Sequence, residues 1–175
     1  IPDRPYLYEK LSGQEFLEFV ADLHSLDSGE ARQKRVAELL EFFDLQSWSR
    51  ELVESYSHGM RQRLIIAAAI LHRPKILIVD EPMVGLDPKG ARLVKRLFFE
   101  LARAGVAIFM STHNMEIAEE MCHRIGIINE GQLIALGTMQ ELREKAQSAD
   151  DRLEPLFLKL TGEEGIREFI EGFRL

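Results

Sequence analysis

Two adjacent carboxylates, Asp80 and Glu81, close the apolar run Ile76-Leu77-Ile78-Val79. A short apolar strand that ends in acids delivers them to the carboxyl edge of an α/β sheet, where such sheets bind their ligands. Asp80 is placed to hold Mg2+ through water, and Glu81 to polarise a water for attack on a phosphoryl group. Standing alone, the segment reads equally as a strand ending in two solvated acids. About twenty residues upstream, Tyr56-Ser57-His58-Gly59-Met60-Arg61-Gln62-Arg63 opens an apolar, alanine-rich stretch. A serine hydroxyl and a glycine amide at a helix N-terminus form an anion site, because the unpaired N–H donors and the helix dipole point the same way. Ser57 is also, by itself, an ordinary N-cap.

Read together, these segments resemble an ABC-transporter nucleotide-binding domain. Tyr56 to Met60 is similar to the family's Leu-Ser-Gly-Gly-Gln signature: Ser57 and Gly59 match, whereas Tyr56, His58 and Met60 depart. The variant is similar to that of subunits serving bacterial drug, sodium or polysaccharide exporters. Gly85-Leu86-Asp87 matches the D-loop, and Asp87 also suits the N-cap of the helix begun by Pro88. Ser111-Thr112-His113 matches the switch segment, in which the resemblance gives His113 the γ-phosphate contact. Leu7 to Gly13 looks like the stretch after the Q-loop, with Asp3 where the family has glutamine; an acid there reaches Mg2+ through water. Leu153 to Gly162 resembles the C-terminal end of the same exporter subgroup.

The resemblance implies ATP and Mg2+ as ligands and a head-to-tail dimer with a second ATP-binding subunit. In that dimer Glu81 and His113 are catalytic, Asp80 holds the metal, and Ser57, Gly59, Asp87 and Asp3 contact nucleotide or its ion. It also implies an integral membrane permease as partner, docking around Pro5 to Leu11, and a peripheral place on the cytoplasmic face of the cell membrane. No Gly-Lys-Ser/Thr occurs in the sequence, so the phosphate-cradling Walker A loop is missing, and the chain is expected to be truncated and inactive alone. Two other readings compete: an ABC-type ATPase of DNA repair or chromosome maintenance, and a non-catalytic interaction fragment. The first separates its motifs by long coiled coil, unlike the short acidic helical layer here. A net charge of -7 argues against a nucleic-acid partner.

The elements that must carry these residues follow from patterning. Ser12-Gly13-Gln14-Glu15 is a capping box, after which Phe16, Phe19, Val20 and Leu23 recur at helical spacing. Val36, Leu39, Leu40 and Phe43 repeat it beyond Ser28-Gly29, and Trp48 reads as a packing residue. A buried helix from Leu64 ends at His72-Arg73-Pro74. Ile76 to Asp80 reads as a strand covered on both faces, Leu93 to Leu101 as a helix, and Val106 to Met110 as the next buried strand, together a βαβ crossover. Ile125 to Ile128 and Leu133 to Leu136 flank a tight turn at Glu130-Gly131. Thr138 to Glu141 is a second capping box, and Leu153 to Leu160 and Ile166 to Phe173 read as two short helices.

The expected class is therefore α/β: part of a RecA-like P-loop core with a mainly parallel sheet, a helical subdomain and a C-terminal helical tail. The expected boundaries are 1–73 for the Q-loop remnant and helical subdomain, 74–149 for the core portion and 150–175 for the tail. In the family a further strand lies between Val106–Met110 and Ile125–Ile128, so these are expected to expose apolar, unpaired edges. Of 175 residues 46% are hydrophobic, enough for one sizeable core. The single cysteine, Cys122, can form no internal disulfide. The longest apolar run, Leu64 to Leu71, falls far short of the roughly 18 residues that span a bilayer.

Overall fold

The computed structural model describes residues 1–2, 6–26, 29–148 and 152–162. Asp3, Pro5 and the expected helix from Ile166 to Phe173 lie outside them. The chain forms two compact units, Ile1–Ser111 and Thr112–Leu175. In the first, the order is α1 (Gly13–Leu23), α2 (Glu30–Phe42), α3 (His58–Leu71), β1 (Ile76–Asp80), α4 (Pro88–Arg103) and β2 (Ala107–Ser111). The second holds α5 (Met115–Met121), β3 (Ile125–Asn129), β4 (Gln132–Gly137), α6 (Met139–Ala146) and α7 (Leu153–Thr161). The architecture is mixed α/β, as the patterning predicts.

Local chemistry explains most element ends. Both capping boxes form: Ser12 accepts from Glu15 N–H while the Glu15 carboxylate takes the Ser12 N–H, and Thr138 and Glu141 repeat the exchange. The backbone and hydroxyl donors of Ser12 and Thr138 hold the Glu15 and Glu141 carboxyls below their ordinary range. Between β3 and β4, Glu130 at φ 48° and Gly131 at φ 77° make the left-handed two-residue turn that antiparallel hairpins favour.

Helices α1, α2 and α3 bury Phe16, Leu17, Val36, Leu40, Leu64 and Ile66 as the core of the first unit. Two arginines close this layer. Arg35 donates to the carbonyls of Leu71 and Ile70, and Arg63 Nη1 donates to Phe43 O at 2.8 Å, so helix-terminal carbonyls buried against α2 and α3 are paired. Trp48 packs edge-on against Tyr56 yet stays 43% exposed, less buried than a packing residue was expected to be. In the second unit Ile125, Ile127, Ala135, Leu142, Leu153 and Leu156 form a separate core, against which Cys122 packs. Burial there raises the Cys122 thiol above its ordinary value.

Strands β1 and β2 pair in parallel from Ile76↔Ala107 to Asp80↔Ser111, joined by α4. The burial of β1 corrects the expectation of a strand covered on both faces. Leu77 and Val79 are buried, but Ile76 is 65% and Ile78 62% exposed, and in β2 Phe109 is 68% exposed. The reason is period two: a continuous apolar run marks both faces for burial, and this unit covers one. Among the described residues β2 ladders with β1 and β3 with β4, and Ile128 and Leu133 also remain largely exposed. On the β1 edge opposite β2, Ile1 N donates to Ile78 O at 2.7 Å and Asp80 N–H to Ile1 O at 2.8 Å.

Candidate functional site

Four of the expected site features belong to the first unit and to two adjoining pieces of chain, the start of α3 and the turn that follows β1. Asp80 is the last residue of β1 and is exposed. Ser111 Oγ, at the paired end of β2, donates to Asp80 Oδ1. One carboxylate oxygen is thereby fixed in direction. This contact was invisible in the sequence, where Ser111 stood only as the first residue of a motif, because it depends on the β1–β2 register.

Glu81 leaves the strand abruptly. Its N–H makes the last ladder bond, to Ser111 O at 2.9 Å, and its φ of 46° puts it in the left-handed region, a conformation costing a non-glycine residue on the order of 1 kcal/mol. The consequence is geometric: Glu81 breaks the alternation of β1 and starts the tight turn closed by Val84 N–H to Glu81 O at 3.1 Å. Gly85 continues it at φ 76°. Asp87 then caps α4, accepting from Gly90 N–H at 3.1 Å, with Pro88 at the first helical position.

Ser57 caps α3 through Met60 N–H at 3.3 Å, and the Ser57 carbonyl takes Arg61 N–H at 3.0 Å. The amides of His58 and Gly59 have no backbone partner among the described residues, and the Ser57 hydroxyl proton is left to donate. Ser57 and His58 are exposed and Gly59 is half-buried, so three donors gather at the helix N-terminus, the arrangement that receives an anion. The start of α3 also presses on the turn. A methyl on Gly59 would lie 2.9 Å from Gly85 O, and Gln62 Nε2 donates to Pro82 O at 3.4 Å from a buried position.

A groove of about 1050 Å3 opens beside α3, lined by Tyr6, Tyr8, Phe19, His58 and Arg61 among others. Tyr8 meets Phe19 edge-on at 5.1 Å, and Arg61 pairs with Glu9 at 2.6 Å on its wall. Tyr6, 85% exposed, offers a large aromatic face there. His113 belongs to the second unit, in the stretch leading into α5, where Thr112 Oγ1 accepts from Asn114 N–H and Asn114 Oδ1 caps the helix through Ile117 N–H. Asp3 is outside the described residues. Among those residues no helix is long and apolar enough to cross a membrane.

Comparison with known proteins finds relatives over most of the chain. A family model described as ABC transporter matches residues 3–84. The ABC-type transporter ATP-binding protein EcsA of Bacillus subtilis is 36% identical over 168 residues, covering 96% of this chain and 68% of that protein. The linearmycin resistance ATP-binding protein LnrL of the same organism is 39% identical over 142 residues, 81% of this chain and 45% of its own length. The daunorubicin resistance ATP-binding protein DrrA3 of Streptomyces coeruleorubidus is 40% identical over 148 residues, 85% and 46% respectively. The chain thus spans about half the length of the last two relatives. A solved structure of the ATP binding subunit of an ABC transporter superposes with a TM-score of 0.85 at 33% identity, covering 92% of this chain and 67% of that one. The fold is accordingly that of RecA-like P-loop proteins, and the chain belongs to the ABC transporter ATP-binding family.

Proposed function

We propose that this chain provides the signature, acid-pair, D-loop and switch portions of an ATP-hydrolysing subunit that energises a membrane permease, in the direction of export. The observation that carries the reading is the packing of the anion-binding start of α3 onto the turn that begins with Glu81. The donors of α3 serve one nucleotide and the carboxylates of the turn another, and the packing joins the two within one chain. In this reading 1–73 form the helical subdomain with the Q-loop remnant, 74–149 the core portion and 150–175 the tail.

The residues fit ATP with Mg2+. Asp80 is exposed at the end of β1 with one carboxylate oxygen held by Ser111, and Mg2+ commonly takes one or two carboxylates together with phosphate and water oxygens. When bound, Mg2+ neutralises charge on the β and γ phosphates. Asp80, aimed by Ser111, would hold the ion, and Asp3 would assist from the Q-loop position. Glu81 takes a proton from the attacking water. His113 donates to the γ-phosphate oxygens, and Asp87 links the two sites of a dimer. Ser57 Oγ and the Gly59 amide serve the nucleotide held by the opposite subunit, so the dimer is head to tail.

Because the sequence contains no Walker A loop, residues 1–175 alone hydrolyse no ATP and bind it weakly; the β and γ phosphates need that loop from elsewhere in the assembly. The aromatic groove from Tyr6 to Leu11 receives the permease, which holds the subunit at the cytoplasmic face of the membrane. Ser57→Arg in the complete transporter tests the arrangement. Hydrolysis is lost while ATP binding is retained, since the arginine blocks closure without touching the subunit's own nucleotide. Equal loss of both activities would make the signature merely structural.

A further inference from the structure

His58 is the residue by which this signature departs from a glycine, and its ring has a definite place. A methyl added to Gly85 would lie 1.8 Å from His58 Cδ2, 2.4 Å from Nε2 and 3.1 Å from Cγ. The imidazole therefore fills the space over the Gly85 Cα, and the turn after Glu81 can approach α3 this closely only because residue 85 has no side chain. The same ring lines the groove with Tyr6, Tyr8, Phe19 and Arg61. One exposed side chain thus borders both the groove and the turn that carries Glu81 and Asp87, while Gly59 and Gln62 hold the backbones in register behind it.

We propose that His58 is a positioning residue: its imidazole braces the turn from Glu81 to Asp87 against the start of α3. The inference rests on the reading of the site as an ATPase. A glycine at position 58 would leave the space over Gly85 open to solvent, and any side chain at 85 would collide with the ring. The brace is a matter of shape, so it acts on how Glu81 is held and not on how tightly nucleotide is bound.

The test is a double-mutant cycle in the complete transporter, with steady-state ATP hydrolysis as readout. His58→Ala is expected to lower kcat about tenfold with KM for ATP within about twofold, the pattern of lost positioning and not of lost binding. Gly85→Ala is expected to lower kcat about a hundredfold in the native background and by about tenfold or less when combined with His58→Gly, which removes the colliding ring. The remaining loss is the strain of a side chain at φ 76°. Equal factors for Gly85→Ala in both backgrounds, or a His58→Ala kcat within about twofold of native, would overturn the proposal. If the native transporter hydrolyses no ATP, the ATPase reading falls instead. The brace is then decided on the 175-residue chain by amide chemical shifts: His58→Ala must move Val84, Gly85 and Leu86, and unmoved signals there reject it.

Discussion

The two ends of α3 are built from the same backbone and finished in opposite ways. At the C-terminal end, Arg35 Nε and Nη2 take the carbonyls of Leu71 and Ile70, and His72 stacks flat on His24 with ring centres 3.8 Å apart. At the N-terminal end Ser57 satisfies a single amide, and the donors of His58 and Gly59 have no backbone partner among the described residues. A helix end exposes four unpaired groups wherever it occurs. Where the fold completes them with its own side chains the end is structural, and where it leaves them open the end can take a ligand.

That contrast breaks most sharply by exchanging damage between the ends. Arg35→Ala leaves two helix-terminal carbonyls without their cation and is expected to cost about 2 kcal/mol in urea unfolding. Ser57→Ala is expected to cost about 1 kcal/mol, the ordinary worth of a cap. In the complete transporter the order reverses: activity per folded molecule is unchanged by Arg35→Ala and falls with Ser57→Ala. A larger stability loss at Ser57 than at Arg35, or a specific-activity loss at Arg35 alone, would undo the distinction.

The smallest expected effect is a pH dependence at the closed end. Burial first, then His24 and the Arg35 guanidinium, push the His72 imidazole below its ordinary value. The folded chain then binds fewer protons than the unfolded chain once the pH drops below about 6.5, the ordinary histidine value. Stability is full above that pH and declines as the pH falls through it towards the lower folded value. Melting temperatures taken between about pH 7.5 and pH 5.5 should decline less in His72→Gln than in the native chain, and identical declines would remove His72 as the cause.

Much of this was legible in the sequence wherever one segment decides the outcome. The capping boxes at Ser12 and Thr138, the Asp87-Pro88 start of α4 and the Glu130-Gly131 turn each depend on residues within four positions of one another. The order of motifs was likewise enough to bring out the family. What was not legible depends on partners far apart in the chain. Ile76 and Ile78 look as buried as Leu77 and Val79 until it is known which face the helices cover. Arg35 and Arg63 look like solvated charges until α3 and the α2 terminus are brought to them. The pairing of Ser111 with Asp80, and of His58 with Gly85, spans about thirty residues and needs the folded register.

The central claim, that the acid pair at the end of β1 is a hydrolytic centre, is tested most directly by Glu81→Gln in the complete transporter, measuring magnesium-dependent ATP hydrolysis and ATP binding side by side. The amide keeps the shape of the side chain and cannot take the proton of the attacking water. The expected result is turnover reduced by about a hundredfold or more with ATP binding retained. Hydrolysis within about tenfold of the native rate would contradict the claim and remove Glu81 from the reaction.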